Sequence, residues 1–301
     1  MSRSEAGATR LANWIAAMRP RTLSMALAPV FLGACLAQAF AGHVDLAAVG
    51  VAAFSAVCIQ IATNLFNDVR DFERGGDGPD RLGPRRAAAS GLLAPGEIKG
   101  AAYGFFALAA LGGLYLAAVG GWPILVLGAL SIVAGWAYTG GPAPISYTPL
   151  GELFVIAFFG LGAVGGTFWL SAGALAPEAL IAGLALGLFA AGVLMVNNYR
   201  DAAADARIGR RTLAIVAGPS LSRALYAAML FAPFLLAAFL VVLAPRRASW
   251  LAFGALPMAW GLVRKLDETP PGLGLNLLLA RTAQTQALFA SLLGIGVLIE
   301  F

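Results

Sequence analysis

The feature that most constrains what this chain can fold into is a succession of apolar runs, each about 20 residues long, the length a helix needs to cross hydrocarbon. They fall at about 23–41, 46–66, 100–119, 122–139, 150–171, 178–197, 223–243, 248–264 and 284–301. Hydrocarbon offers backbone N–H and C=O groups no partner, so segments of this kind must satisfy themselves internally. Their length suits helices; strands of a membrane barrel are about half as long. With 60% hydrophobic and 12% charged residues, the expected fold class is all-α, a polytopic membrane helical bundle of about nine transmembrane helices. One transmembrane domain is expected over 23–301, behind an N-terminal segment 1–22.

Nine spans put the termini on opposite sides of the bilayer. If the N-terminus is cytoplasmic, 18 of the 20 Lys and Arg residues lie inside and only Arg246 and Arg247 outside, the asymmetry that the positive-inside rule requires. The expectation is a bacterial cytoplasmic membrane, with the C-terminus outside. The first 22 residues lack the organisation of a signal peptide, and Leu11 to Met18 read as a short amphipathic helix in the headgroup layer with Trp14 at the interface. Cys35 and Cys58 fall inside the first two spans and His43 is the lone histidine, so neither a zinc centre nor a disulfide is expected. The lipid bilayer is an expected partner and nucleic acid is not.

Two polar clusters end very apolar stretches: Asn64-Leu65-Phe66-Asn67-Asp68-Val69-Arg70-Asp71 after the second span, and Asn197-Asn198-Tyr199-Arg200-Asp201 running on to Asp205 after the sixth. Ionisable groups at the edge of hydrocarbon are costly and mark functional sites. At roughly 100° per residue, Asn64, Asp68 and Asp71 fall within about 60° of one helix face, and Asn197, Asp201 and Asp205 within about 80°. A single Asp-Arg pair at a helix end is ordinarily a solvated ion pair; two such clusters at equivalent helices of two four-helix blocks point to one shared site. Four facing aspartates repel unless cations intervene. Oxygen-only ligation suits a hard ion, and Mg²⁺ takes one or two carboxylates while phosphate oxygens and water complete its shell. Asp68, Asp71, Asp201 and Asp205 are therefore the expected catalytic and Mg²⁺-binding set, acting on a diphosphate.

Asn64, Asn67, Asn197, Lys99, Arg21, Arg207 and Arg211 are the expected diphosphate and substrate contacts, since amides and guanidinium forks fit the remaining oxygens. Asp77 and Asp80, beyond Gly75-Gly76, are weaker candidates. The long inner connections at about 67–99 and 198–222 read as a lid or ligand entrance, whereas the inner connection after the fourth span, Thr139 to Pro144, is uncharged. Glycine spacings such as Gly162 with Gly165-Gly166, and Gly183 with Gly187, predict close helix packing.

These residues resemble the UbiA-type intramembrane aromatic prenyltransferases. The first signature is Asn67-Asp68-Val69-Arg70-Asp71 with Asp77 further on; the second is Asp201-Ala202-Ala203-Ala204-Asp205. Within that family the likeness is strongest to the 1,4-dihydroxy-2-naphthoate branch of menaquinone biosynthesis, through Arg19-Pro20-Arg21-Thr22-Leu23, the stretch Asp77 to Pro84, and Asn197 to Ala214. The resemblance implies Mg²⁺-dependent transfer of a polyprenyl group from its diphosphate to an aromatic ring, with loss of the ring carboxylate in the naphthoate case. It implies polyprenyl diphosphate and an aromatic acceptor as partners, with Phe66, Phe154, Phe158, Phe159, Phe168 and Trp169 available to line a tail channel. Tyr138, Tyr147 and Tyr199 are the candidates for orienting the ring. Other rings (4-hydroxybenzoate, homogentisate, a chlorin) remain open at this level, as does a cation-coupled transporter.

Overall fold

The computed structural model describes residues 3–77 and 81–301. The elements are α1 (Arg3–Met18), α2 (Leu23–Ala41), α3 (Leu46–Glu73), α4 (Pro95–Gly120), α5 (Trp122–Ala137), α6 (Gly151–Val155), a π-helical stretch (Ile156–Gly162), α7 (Ala163–Ala172), α8 (Pro177–Arg207), α9 (Leu213–Leu243), a 3₁₀ stretch (Ser249–Ala255) leading into α10 (Leu256–Glu268), and α11 (Leu275–Leu298). With α6, the π stretch and α7 taken as one continuous rod, and the 3₁₀ stretch joined to α10, nine helical spans follow α1. Among the described residues, six helical segments are long and apolar enough to cross a membrane. Connections at the end holding Gly42, Gly121 and Gly173 are short; the charge collects at the other end.

Helix ends differ from expectation mainly at the charged end. The connection expected over 198–222 is largely helical: α8 continues to Arg207 and α9 begins at Leu213, leaving 208–212. The physical reason is local, because Asp201-Ala202-Ala203-Ala204-Asp205-Ala206-Arg207 is rich in strong helix formers and needs no hydrocarbon to stay helical. Likewise α3 runs on to Glu73 and α4 starts at Pro95, so the first inner loop spans 74–94. The bend in α9 sits at Gly218, whose φ of 71° breaks the helical path just before Pro219.

The expected helix near the N-terminus is present and longer, but Trp14 packs inward with Ala17 and Met18 against the apolar group around Leu65 and Val69. Among the described side chains of α1, the exposed large apolar ones are instead Leu11 and Ile15, one turn apart. Cys35 and Cys58 are free and buried, as expected.

Glycine sets the closest approach in the bundle. A Cβ on Gly160, in the π stretch, would meet the carbonyl oxygen of Gly183 and come within 2.6 Å of Gly187 Cα. The π rod and α8 thus pack backbone against backbone, the small-residue contact that replaces hydrophobic drive inside a membrane. We expect Gly160→Val to force the two rods apart and lower the melting temperature of the detergent-solubilised protein by the equivalent of about 1–3 kcal/mol or more. Gly104→Ala, where a Cβ meets nothing within 4 Å, should melt as the parent does.

Candidate active site

The last turns of α3 and α8 meet at the charged end, with loop 74–94 and the connection 208–212 closing over them. Asp68 is 2% exposed; its Oδ2 accepts the backbone N–H of Ala87 and its Oδ1 that of Ala88, each at 3.0 Å. One turn on, Asp71 accepts from Arg86 at 2.6 Å and also from Arg210. Arg210 donates in addition to Asp205 at 2.8 Å, so a single guanidinium joins the ends of α3 and α8. Arg200 grips Asp201 with two prongs, at 2.8 and 2.6 Å. It also donates to Asn197 at 2.9 Å and to Asn276 of α11 at 2.6 Å. The Asn276 amide then donates to the carbonyl of Leu82 at 2.9 Å, stitching the loop to α8 and α11.

The four expected aspartates are therefore gathered, but around arginines and loop amides. Among the described residues no set of three metal-ligating side chains forms. The network is nevertheless short of partners: Arg86 Nε and Nη1, Arg210 Nε and Asp77 Oδ2 are buried without hydrogen bonds. Buried guanidinium donors are costly to leave unmade, and such groups are ordinarily satisfied by a ligand if not by protein. Orphaned guanidinium N–H groups beside surplus carboxylate oxygens fit an anion carried with a hard cation. Burial pushes the Asp77 carboxyl above its ordinary pKa, against the pull of Arg86 and Arg81. For Arg210 burial works against the charge, and Asp71 and Asp205 more than reverse it, raising its pKa.

The remaining candidates separate. Asn67 accepts from Arg86 at 3.3 Å and belongs to the network. Asn64 lies outside that network, donating to the Met18 carbonyl at 3.2 Å and to Thr22 Oγ1 at 3.0 Å, which ties the segment after α1 to α3. Lys99 pairs with Glu73 at 3.4 Å on the exposed side of α3, two residues and about 200° away from Asp71. Arg21, Arg207 and Arg211 are exposed, and Asp80 lies outside the described residues. Arg86, Arg81 and Asn276 carry the network without having been singled out. Position in Gly83-Pro84-Arg85-Arg86 was the only available signal, and it does not distinguish Arg86 from Arg85.

Beneath the network lies an apolar cavity of about 310 Å³ bounded by α2, α3, α4, α5 and the α6 to α7 rod. Asn64, Asn67 and Tyr138 line it at the charged end and Leu116, Ile124 and Leu170 at the far end, with Phe154, Phe158 and Phe159 along the wall. Phe66, Phe168 and Trp169 do not line it: Phe66 packs edge-on to Tyr103 and tilted against Trp136, Phe168 is in the core, and Trp169 Nε1 donates to the Gly120 carbonyl at 2.9 Å. Asn67 lines the cavity and shares Arg86 with Asp71, so the network adjoins the cavity's polar end through Asn67.

Comparison with known proteins matches residues 26–270 to the UbiA prenyltransferase family. The chain belongs to this family. It is 33% identical over 299 residues to the 1,4-dihydroxy-2-naphthoate octaprenyltransferase of Escherichia coli (strain K12), covering 97% of each chain. It is 38% identical over 250 residues to the enzyme of the same name from Mycobacterium tuberculosis, covering 82% of this chain and 84% of that one. The structure of a UbiA homologue from Archaeoglobus fulgidus bound to DMAPP and Mg²⁺ superposes with a TM-score of 0.67 at 16% identity, covering 95% of this chain and 99% of that one. This likeness bears on the fold. The expected UbiA-type helical bundle and the expected prenyltransferase family are thus both borne out.

Replacing Arg210 by Met should lower the stability of the ligand-free protein by about 3–5 kcal/mol in detergent melts, because it strands Asp71 and Asp205 together without their shared cation. Lys99→Met, which removes an exposed pair, should cost under about 1 kcal/mol.

Proposed function

We propose that this UbiA-family protein transfers a polyprenyl group from polyprenyl diphosphate to 1,4-dihydroxy-2-naphthoate, releasing diphosphate and CO₂ and giving demethylmenaquinone. The observation that carries this reading is the set of buried N–H groups without hydrogen bonds on Arg86 and Arg210, beside surplus carboxylate oxygens, in a network that Asn67 shares with the wall of an apolar cavity. Identity of 33% across 97% of a naphthoate octaprenyltransferase supports the choice of acceptor.

In this reading Arg86 and Arg210 turn their free N–H groups to the diphosphate, with Arg81 and Arg200 completing a cationic rim. Asp71, Asp201 and Asp205 are held by flexible guanidinium groups and can exchange them for a cation. Asp68 keeps lone pairs on both oxygens after accepting two backbone N–H bonds. Those four aspartates would hold Mg²⁺ through the diphosphate, and the ion would supply neutralising charge for the leaving group. Asp68 has a second task, since its bonds to Ala87 and Ala88 fix the loop that carries Arg86.

The isoprenoid tail lies in the cavity along Phe154, Phe158 and Phe159. Their faces present electron density to positive charge developing at the allylic carbon, and the apolar walls keep out the water that would capture it. In this reading the cationic rim faces the cytoplasm, an orientation that the Lys and Arg tally supports. A transporter reading has no comparable support, because the buried acids among the described residues, Asp68, Asp71, Glu152 and Asp205, all stand at the charged end and leave the far end without a second site.

Purified protein supplied with Mg²⁺, a polyprenyl diphosphate and the naphthoate should form a product whose mass shows one prenyl group gained and one carboxylate lost. Intact acceptor after long incubation would count against the reaction. Asp71→Ala and Asp201→Ala should each reduce turnover by about 100-fold or more, whereas Arg246→Ala, at the far end, should leave it unchanged.

A further inference from the structure

Tyr147 closes a 3₁₀ turn, Ile145–Tyr147, on the connection between α5 and α6. That connection has no charged residue from Thr139 to Tyr147, yet two guanidinium groups from other elements stand over the Tyr147 ring. The Cζ atoms of Arg74 and Arg210 lie 5.2 and 5.0 Å from its centroid, inside the range of about 6 Å over which a ring face attracts a cation.

The place of the ring is set from two directions. Arg74, just past α3, donates to the carbonyls of Thr139 at 2.8 Å and Gly141 at 2.9 Å, which pins the connection to α3. The Tyr147 carbonyl accepts the backbone N–H of Arg211 at 3.0 Å, which pins it to the residue next to Arg210.

Arg210 has a use for such a contact. Its two terminal nitrogens go to Asp71 and Asp205, and its Nε is buried without a hydrogen bond. Two bonds fix the line through the terminal nitrogens. The tilt of the planar group about that line, which aims Nε–H, is left to the ring against its face. A cation that takes over Asp71 and Asp205 releases both of those bonds, whereas a contact with the guanidinium face survives the exchange.

We propose that Tyr147 is the positioning residue for Arg210: its ring keeps the guanidinium at the site and aims the released N–H groups at a diphosphate when Asp71 and Asp205 turn to the accompanying cation. Arg210 touches the ligand and Tyr147 acts through it. Tyr147 thereby serves the diphosphate and not the aromatic acceptor, and the uncharged connection draws its cations from α3 and from the link between α8 and α9.

This inference rests on the proposed diphosphate chemistry, and the test keeps the two apart. Binding of inorganic pyrophosphate with Mg²⁺ is measured by calorimetry on the detergent-solubilised full chain, and steady-state constants for the prenyl diphosphate and the naphthoate are measured separately. Tyr147→Leu should weaken pyrophosphate binding and raise KM for the prenyl diphosphate about tenfold, the equivalent of one partly desolvated cation–π contact, with KM for the naphthoate unchanged. Tyr147→Phe, which keeps the ring, should recover the affinity. Replacing Tyr147 by phenylalanines with increasing numbers of ring fluorines keeps the shape and drains electron density from the face, so the dissociation constant should climb along the series. That series also carries the test if Tyr147→Leu fails to fold. A flat fluorine series, a Tyr147→Phe as weak as Tyr147→Leu, or an equal rise in KM for the naphthoate would each overturn the inference. Failure of the parent to bind pyrophosphate would overturn it together with the diphosphate site. If binding follows the fluorine series but no prenylated naphthoate forms, the Tyr147 contact stands and the naphthoate reaction falls.

Discussion

The charged end of this bundle is held together by one guanidinium placed between two carboxylates. Asp71 ends α3 and Asp205 ends α8, and without Arg210 between them the two helices would bring like charges together in a poorly solvated place. Arg210 arrives on a connection only five residues long, between Arg207 and Leu213, so its position is fixed by the same two helices it joins. The loop 74–94 depends on this closure in turn. Asp68 receives its backbone, Asp71 receives its Arg86, and Arg200 with Asn276 receives the carbonyl of Leu82.

A second constraint acts across the membrane-spanning part. The backbone contact of Gly160 with Gly183 and Gly187 draws the α6 to α7 rod onto α8, and the opposite side of that rod faces α3 and α5 across the cavity. Close packing on one side leaves room on the other. The cavity's position under the carboxylates follows from α3, which carries Asn67 in the cavity wall and Asp71 one turn above it. Charge for the diphosphate and dryness for the prenyl tail are thus supplied by neighbouring turns of one helix. Glu152 belongs to the same rod, where Asn198 of α8 meets it.

The parts of the site that were legible in sequence share a property: each is a group whose cost in hydrocarbon can be judged without knowing its neighbours. Asp68, Asp71, Asp201 and Asp205 stand out on that ground alone, and helical phase puts each pair on one face. Asn64 satisfies the same phase rule, and its amide is taken up by Met18 and Thr22 while it lines the cavity, since phase gives a face and not the neighbour that face meets. Lys99 is a cation suited to phosphate oxygens, but α4 presents it to Glu73. Nothing local marks Arg86, because it lies in an irregular loop, where no periodicity shows which of two adjacent arginines turns inward.

What the sequence by itself determined is the helical bundle, its nine apolar spans, the gathering of the acidic helix ends at one end, and the family. These follow from backbone satisfaction in hydrocarbon and from the cost of charge there, which are properties of each segment taken alone. What only the tertiary structure decided is which cation meets which carboxylate, which tyrosine faces the cavity, and which polar atoms stay without a protein partner. Those depend on approach distances of a few ångströms between segments far apart in the chain, set by glycine contacts and loop closure, and no local pattern encodes them.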